Sequence, residues 1–166
     1  MKVLMIAFNN LNHDFRVYRE ARTLQANGYD VHVFGVRRGD EELFEWGDVR
    51  AEIIPIPRTN SLKLSYPLFW IAAYRRLKGE SSDVYHAHDL DALIPARLLA
   101  RRSDALLIYD SHEYFTEMAS VTGRFFVQNI WRVLEHVTMK RVNGIITVGG
   151  AIAGELGRKY PRRTIA

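Results

Sequence analysis

Cysteine is absent from the 166 residues. Disulfide frameworks, thiolate zinc sites and thiol nucleophiles are therefore excluded, and the composition fits a reducing, cytoplasmic setting. Long apolar runs are missing too. The longest nearly apolar stretch, Tyr66–Tyr74, falls far short of the ~20 residues a spanning helix needs. Met1–Phe8 is apolar, but Lys2 is its only charge and Asn9-Asn10 stand where a small-residue cleavage site would be. It reads as a strand, not a signal peptide. Charge of one sign is not in large excess: 23 Lys and Arg against 19 Asp and Glu leave +4. That permits an anionic partner such as a phosphate, a nucleotide or an acidic lipid, and does not call for nucleic acid. What remains is ordinary for one soluble domain, with 48% hydrophobic and 25% charged residues. A chain of this length buries roughly 70% of its unfolded surface, enough for one real core.

Short apolar runs alternate with longer amphipathic ones. Val3–Phe8, Val31–Val36, Ala51–Ile56, Asp83–His88, Ala105–Ser111 and Gly144–Val148 read as strands, the first apolar throughout, as in a sheet buried on both faces. Phe15–Gln25, Ser65–Lys78, Asp91–Arg102, Phe125–Arg141 and Ala151–Lys159 read as helices. Asn27-Gly28 is a stop signal for the first helix, Ser65 a candidate cap for the second, and Asp89 or Asp91 for the third. Arg37–Arg50 reads as a loop and Tyr160–Ala166, with Arg162 and Arg163, as a solvated tail or the start of a connection. This order predicts an α/β fold, a Rossmann-like, doubly wound, mostly parallel sheet of six to seven strands with helices on both faces.

Open parallel sheets bind ligands outside the carboxyl ends of their strands. After the first strand come Asn9, Asn10, Asn12, His13 and Asp14, with Arg16 at the start of the helix. The fourth strand ends in His86, His88 and Asp89, and the fifth in Asp110, Ser111, His112 and Glu113. Four of the six histidines thus collect on one rim. His86 and His88 share a strand face, and with His112 and Asp110 they outline a metallohydrolase alternative. Alternatively, Asp89 is a helix cap and the histidines are polar ligand contacts. Arg16 beside His13 and Asp14 offers a guanidinium to a phosphate or carboxylate, or pairs with Asp14 or Glu20.

The first strand-to-helix turn has no glycine, so a dinucleotide fingerprint is missing where the fold would place it, and there is no P-loop. Gly149-Gly150 opens the last helix, as an anion site or as a plain tight turn. No nucleophile-elbow motif surrounds Ser111. The second helix is aromatic and basic, with Tyr66, Phe69, Trp70, Arg75, Arg76 and Lys78. Such a helix lies on an anionic membrane surface, or packs its aromatics on the sheet and solvates its basic end.

Five stretches in order resemble one family. They are Asp83–Asp91, Leu107–Phe115, Asp14–Leu24 continuing through Gly28–Val31, Trp131–Glu135, and Gly144–Val148 continuing to Tyr160. Together they look like the N-terminal half of GT-B-fold glycosyltransferases of family 4, the "group 1" glycosyltransferases, over nearly the whole chain. The resemblance implies two Rossmann-like domains facing across a cleft, the N-terminal one for the acceptor and the C-terminal one for a nucleotide-sugar donor. It implies retaining transfer with no metal and no cofactor beyond that co-substrate. His112 matches the histidine that contacts the transferred sugar, and His88 and Asp89 match acceptor-side positions. The first loop departs from the family's paired glycines, having Asn9-Asn10-Leu11-Asn12 instead. Asn10, Asn12, His13, Arg16, His88, Asp89 and Glu113 are therefore expected to bind substrate and His112 to serve catalysis. Residues 1–166 are expected to form the acceptor domain, with the donor domain absent from this chain and the isolated chain inactive. Expected partners are a sugar or lipid-linked acceptor and the inner face of a membrane, but no nucleic acid. A non-catalytic sugar or nucleotide sensor is the third reading.

Overall fold

Val3–Phe8 can be apolar throughout because both faces of its strand are covered. Strand β1 (Lys2–Asn10) is buried from Val3 to Phe8, and alternate residues enter two different cores. The computed structural model describes residues 1–37, 42, 45–56, 62–119, 121–161 and 164–165. On either side of β1 lie β2 (Asp30–Arg37) and β4 (Val84–His88), followed outward by β3 (Arg50–Pro55) and by β5 (Leu106–Ser111), β6 (Gly144–Thr147) and β7 (Thr164–Ile165). The order is β3-β2-β1-β4-β5-β6-β7 and every pairing is parallel. Five helices connect them: α1 (Phe15–Ala26), α2 (Leu62–Leu77), α3 (Asp89–Ser103), α4 (Phe125–Met139) and α5 (Gly150–Lys159).

Leu4, Ile6 and Phe8 face a large core shared with Phe69 of α2, Leu93 of α3 and Trp131 of α4. Val3, Met5 and Ala7 face a smaller core closed by Val17 and Ala21 of α1 and by Trp46. Truncating a fully buried residue such as Leu4 to Ala would cost about 2–5 kcal/mol.

Local chemistry sets the path of the first loop. Asp14 caps α1 by accepting the Val17 N–H at 3.2 Å. The helix stops at Gly28, whose φ of +82° is open to glycine at little cost. Gly35 on β2 is required by close approach, because a Cβ there would lie 2.5 Å from Leu11 Cγ. That gap lets the loop after β1 fold down over β2.

Several expectations are corrected. Helix α2 begins at Leu62, so Ser65 is a buried helix residue and not its cap. Aromatic packing sets its position: Phe69 packs at a tilt on Phe8 at 4.6 Å and Tyr66 meets Trp131 edge-on at 4.9 Å between ring centroids. Asp89 caps nothing. It is the first residue of α3, with a left-handed φ of 65°, and His88 before it makes no side-chain cap bond. The tail reading also fails in part. The Tyr160 hydroxyl donates to the buried Glu135 at 2.7 Å, and Thr164–Ile165 add a strand beside β6. Arg162 and Arg163 lie outside the described residues, as do residues 38–41, 43 and 44 of the predicted loop, where Trp46 and Val49 are buried.

Candidate functional site

The strand order reverses between β1, which leads outward to β2 and β3, and β4, which leads the other way. At such a switch point the adjacent loops part and leave a crevice at the carboxyl ends. Register then selects the side chains. Ala7, His88 and Asp110 are neighbours across three strands, and Met5, His86 and Ile108 form the row below. All point to the face that α1 covers, and α1 supplies Glu20 from above.

The result is a buried polar cluster around one carboxylate. Asp110 Oδ2 lies 2.8 Å from His112 Nε2 and 3.2 Å from His88 Nδ1. His86 Nε2 approaches the same oxygen at 4.0 Å, and Glu20 Oε2 lies 3.9 Å from His88 Nδ1. The His86 and His88 rings stack at 4.4 Å. Asp89 completes the rim: its Oδ1 accepts the His112 backbone N–H at 3.0 Å, and its Oδ2 lies 3.7 Å from His112 Nδ1. The left-handed turn at Asp89 swings its carboxylate from the helix toward β5, which is why it serves His112 and not the helix terminus.

The electrostatics follow from burial and from the two carboxylates. Burial alone would raise the Asp110 carboxyl, but hydrogen bonds from His112 and His88 overcome it and hold the group well below the usual range. Burial alone would lower the His112 imidazole; its bond to Asp110 and the Asp89 charge reverse that and raise it. The two carboxylates thus favour the protonated ring, in which both nitrogens are donors. Burial and the neighbouring His88 push His86 down to about 3, so it is neutral. Burial raises Glu20 and Asp89. Three atoms of the cluster have no hydrogen-bond partner: Glu20 Oε2, His86 Nε2 and His88 Nε2.

The other expected residues divide. Asn10 spends its side-chain oxygen on the Asn12 N–H, at 3.1 Å, and Asn12 is buried with its amide donating to the Glu42 carbonyl at 2.7 Å. Both shape the loop. His13 is exposed at the tip of that loop, and Glu113 is exposed beyond β5. Arg16 is exposed on the first turn of α1. It lines a groove of about 980 Å³ with Phe15, Glu20, His86, Ile108 and Ile146. This groove runs down the sheet face beside α1, away from the rim that carries His112. Gly149 precedes α5 in an extended conformation.

Sequence reasoning had not assigned Asp110 as the hub or Glu20 as a member of the site. The signal for Asp110 was parity: it lies directly beside His88 once β4 and β5 pair in parallel. Glu20 had a weaker signal, one helical turn from the buried Val17 on the edge of the inward stripe.

Residues 15–166 match the sequence profile of Glycosyltransferase Family 4. No curated protein sequence matches the chain. Among solved structures, sucrose-phosphate synthase from Thermosynechococcus elongatus is similar at TM-score 0.70 and 12% identity, over 100% of this chain and 47% of that one. A lipopolysaccharide outer core galactosyltransferase, WaaB, is similar at TM-score 0.66 and 11% identity, over 100% and 44%. UDP-GlcNAc 2-epimerase from Methanocaldococcus jannaschii is similar at TM-score 0.63 and 13% identity, over 99% and 45%. The chain spans about half the length of each of these three structures. At such identities the likeness shows a common fold, and a fold shared by transferases and an epimerase does not choose the chemistry.

Proposed function

The chain belongs to Glycosyltransferase Family 4, and on that premise we propose that it forms the acceptor-side wall of a retaining glycosyltransferase. The reaction moves a sugar from a nucleotide-diphosphate sugar to an acceptor hydroxyl. The observation that carries this reading is His112, half-buried at the switch-point rim and held between Asp110 and Asp89. Two carboxylates that favour the protonated form of a histidine make it a weaker acid and a readier hydrogen-bond donor to substrate oxygens. Its role is to donate to a sugar hydroxyl and to charge that develops as the glycosidic bond breaks. Asp110 fixes the ring, and Asp89 fixes the backbone that carries it.

One wall cannot orient two substrates, and much of a transfer rate comes from holding both in line. The nucleotide is therefore bound by a second domain facing this rim, and His88 and Asp89 line the acceptor side of the cleft. No cofactor or metal takes part in the transfer step in this reading. The metallohydrolase alternative is weakened by geometry, since His112 Nε2 is engaged with Asp110 at 2.8 Å.

An acceptor carried on a lipid agrees with the outer surface of the helical layer. The aromatics Tyr66 and Trp70 of α2 turn inward onto Trp131. Leu64, Leu68 and Ile71 remain exposed above the basic end at Arg75 and Arg76, and Phe126, Ile130, Val133 and Val137 line the outside of α4. No helix of the described residues is long and apolar enough to cross a membrane, so contact would be peripheral, at the cytoplasmic face.

The test is His112→Ala in the two-domain enzyme. Loss of one preorganised donor should lower kcat by about 10²–10³-fold, with the fold intact by circular dichroism. An unchanged kcat would remove His112 from the reaction. Donor-dependent transfer by the 166-residue chain alone would overturn the half-site reading.

A further inference from the structure

We propose that Glu20, His86, His88 and Asp110 form a binding site for one divalent transition-metal ion of the zinc type, beneath the rim and apart from the sugar chemistry. Each of the four residues offers one ligand atom, and these atoms lie within 4.8 Å of one another. Among them, His88 Nδ1 lies 3.2 Å from Asp110 Oδ2 and 3.9 Å from Glu20 Oε2, and His86 Nε2 lies 4.0 Å from Asp110 Oδ2. Ligands bonded at about 2.0–2.2 Å around a tetrahedral ion stand about 3.3–3.6 Å apart, so side-chain movements of about 1 Å or less close the shell.

Burial and unmet bonding point to an occupant. His86 is 6% exposed, and its Nε2 has no hydrogen-bond partner while facing Asp110. Glu20 Oε2 is orphaned beside it. Buried polar atoms are rarely left this way without an ion or a water that accounts for them. No lysine or arginine of the described residues hydrogen-bonds to any of the four groups. Two carboxylates and two imidazoles therefore converge with no lysine or arginine hydrogen-bonded among them, and the charge of Arg16 reaches Glu20 only from the groove. The two-nitrogen, two-oxygen set suits zinc better than magnesium or calcium.

The surroundings have the other features of a metal centre. The groove beside α1 reaches both Glu20 and His86, which gives an entry path. His112 Nε2 donates to Asp110 and so stands as the outer partner that orients a ligating carboxylate. The ion would thus clamp α1 to β4 and β5 and hold the hub on which His112 rests.

The test uses the chain stripped with a chelator, then titrated with Zn²⁺ and separately with Co²⁺. Expected are saturation at one equivalent, a rise in Tm of about 5–10 °C at a hundredfold excess over Kd, and the intense visible bands of four-coordinate Co²⁺. His86→Gln and Glu20→Gln should each weaken binding by more than the roughly 10–100-fold that loss of an outer partner costs. His136→Gln, at an exposed position on α4, should bind as the parent does. Should His86→Gln fail to fold, Glu20→Gln and the Co²⁺ spectrum of the parent decide. Absence of saturable binding, a six-coordinate Co²⁺ spectrum, or undiminished binding by either folded variant would overturn the proposal.

Discussion

Two carboxylate–imidazole networks occupy opposite ends of the sheet, and they are built differently. At the amino-terminal end, His32 of β2 lies 3.0 Å from Glu80 and 3.8 Å from Glu52. Each of those glutamates also holds a guanidinium, Arg50 on Glu80 at 2.9 Å and Arg76 on Glu52 at 2.6 Å. At the carboxyl-terminal rim, Asp110 and Asp89 meet imidazoles and Glu20 meets His88, with no guanidinium hydrogen bond among them in the described residues. Permanent cations make the first network electrically complete at every ordinary pH, and its arginines are half-exposed. The second depends on imidazole protons and is nearly dry. Arginine in a fork geometry gives stable pairing, while histidine gives a charge that can be moved or handed to a ligand. The first network is built to hold structure, and the second has the chemistry that a ligand site would need.

The largest expected effect is at Asp110, which is 1% exposed and bonded by two histidines. Asp110→Ala should cost about 3–5 kcal/mol in urea unfolding, because it removes the buried carboxylate that two imidazoles share. A loss under about 1 kcal/mol would erase the contrast between the two networks. Asp89 comes next, and three substitutions separate its backbone from its carboxylate. Asp89→Asn keeps a residue that tolerates the left-handed turn and an acceptor for the His112 N–H, so the change should be small. Asp89→Ala should lose about 2–3 kcal/mol, of which 1–2 is the turn and the rest one hydrogen bond. Asp89→Gly should recover the turn component. Equal cost for Ala and Gly would mean that the φ of 65° carries no strain.

The fold was legible because its signals are long and redundant. Apolar runs such as Val3–Phe8, separated by helices with period-3.6 stripes, admit little besides a parallel sheet. The site was legible only as a rim. His88, Asp89 and His112 could be placed at strand ends, and they do converge. The hydrogen bonds inside the loops were not legible, because they depend on exact geometry. Asn10 and Asn12 look like ligand-binding amides in the sequence, yet both are occupied in holding the first loop. Asp89 looks like a cap, and one left-handed residue redirects it. Asp110 was visible in the sequence, but its rank as hub needed the register of β4 against β5.

A smaller effect sharpens the comparison through pH. Burial and the neighbouring Arg50 lower the His32 imidazole, despite the two glutamates beside it. Its folded pKa is then below the unfolded value of about 6.5. The unfolded chain takes up the proton first, so stability present above pH ~6.5 is lost as the pH falls below it. His32→Gln should flatten the fall in urea midpoint between about pH 6.5 and 5, ahead of the carboxylate range. An unchanged slope there would place the acid sensitivity elsewhere.

The smallest effect expected is at the arginines of the amino-terminal network. Arg50 and Arg76 have side chains 56% and 45% exposed, so solvent screens their attraction and holding them ordered costs entropy. Exposed pairs of this kind are worth about 0–1 kcal/mol. Arg76→Ala should therefore change stability by less than about 1 kcal/mol, and 0.5 M salt should remove much of even that. Glu80 would still hold Arg50 and His32, and Glu52, which loses Arg76, has a partly exposed side chain that water can reach. This is the physical opposite of Asp110→Ala, where the imidazoles left behind are largely shielded from water. If Arg76→Ala cost as much as Asp110→Ala, burial would not be what distinguishes the two ends of the sheet, and the rim would lose its claim to be the special one.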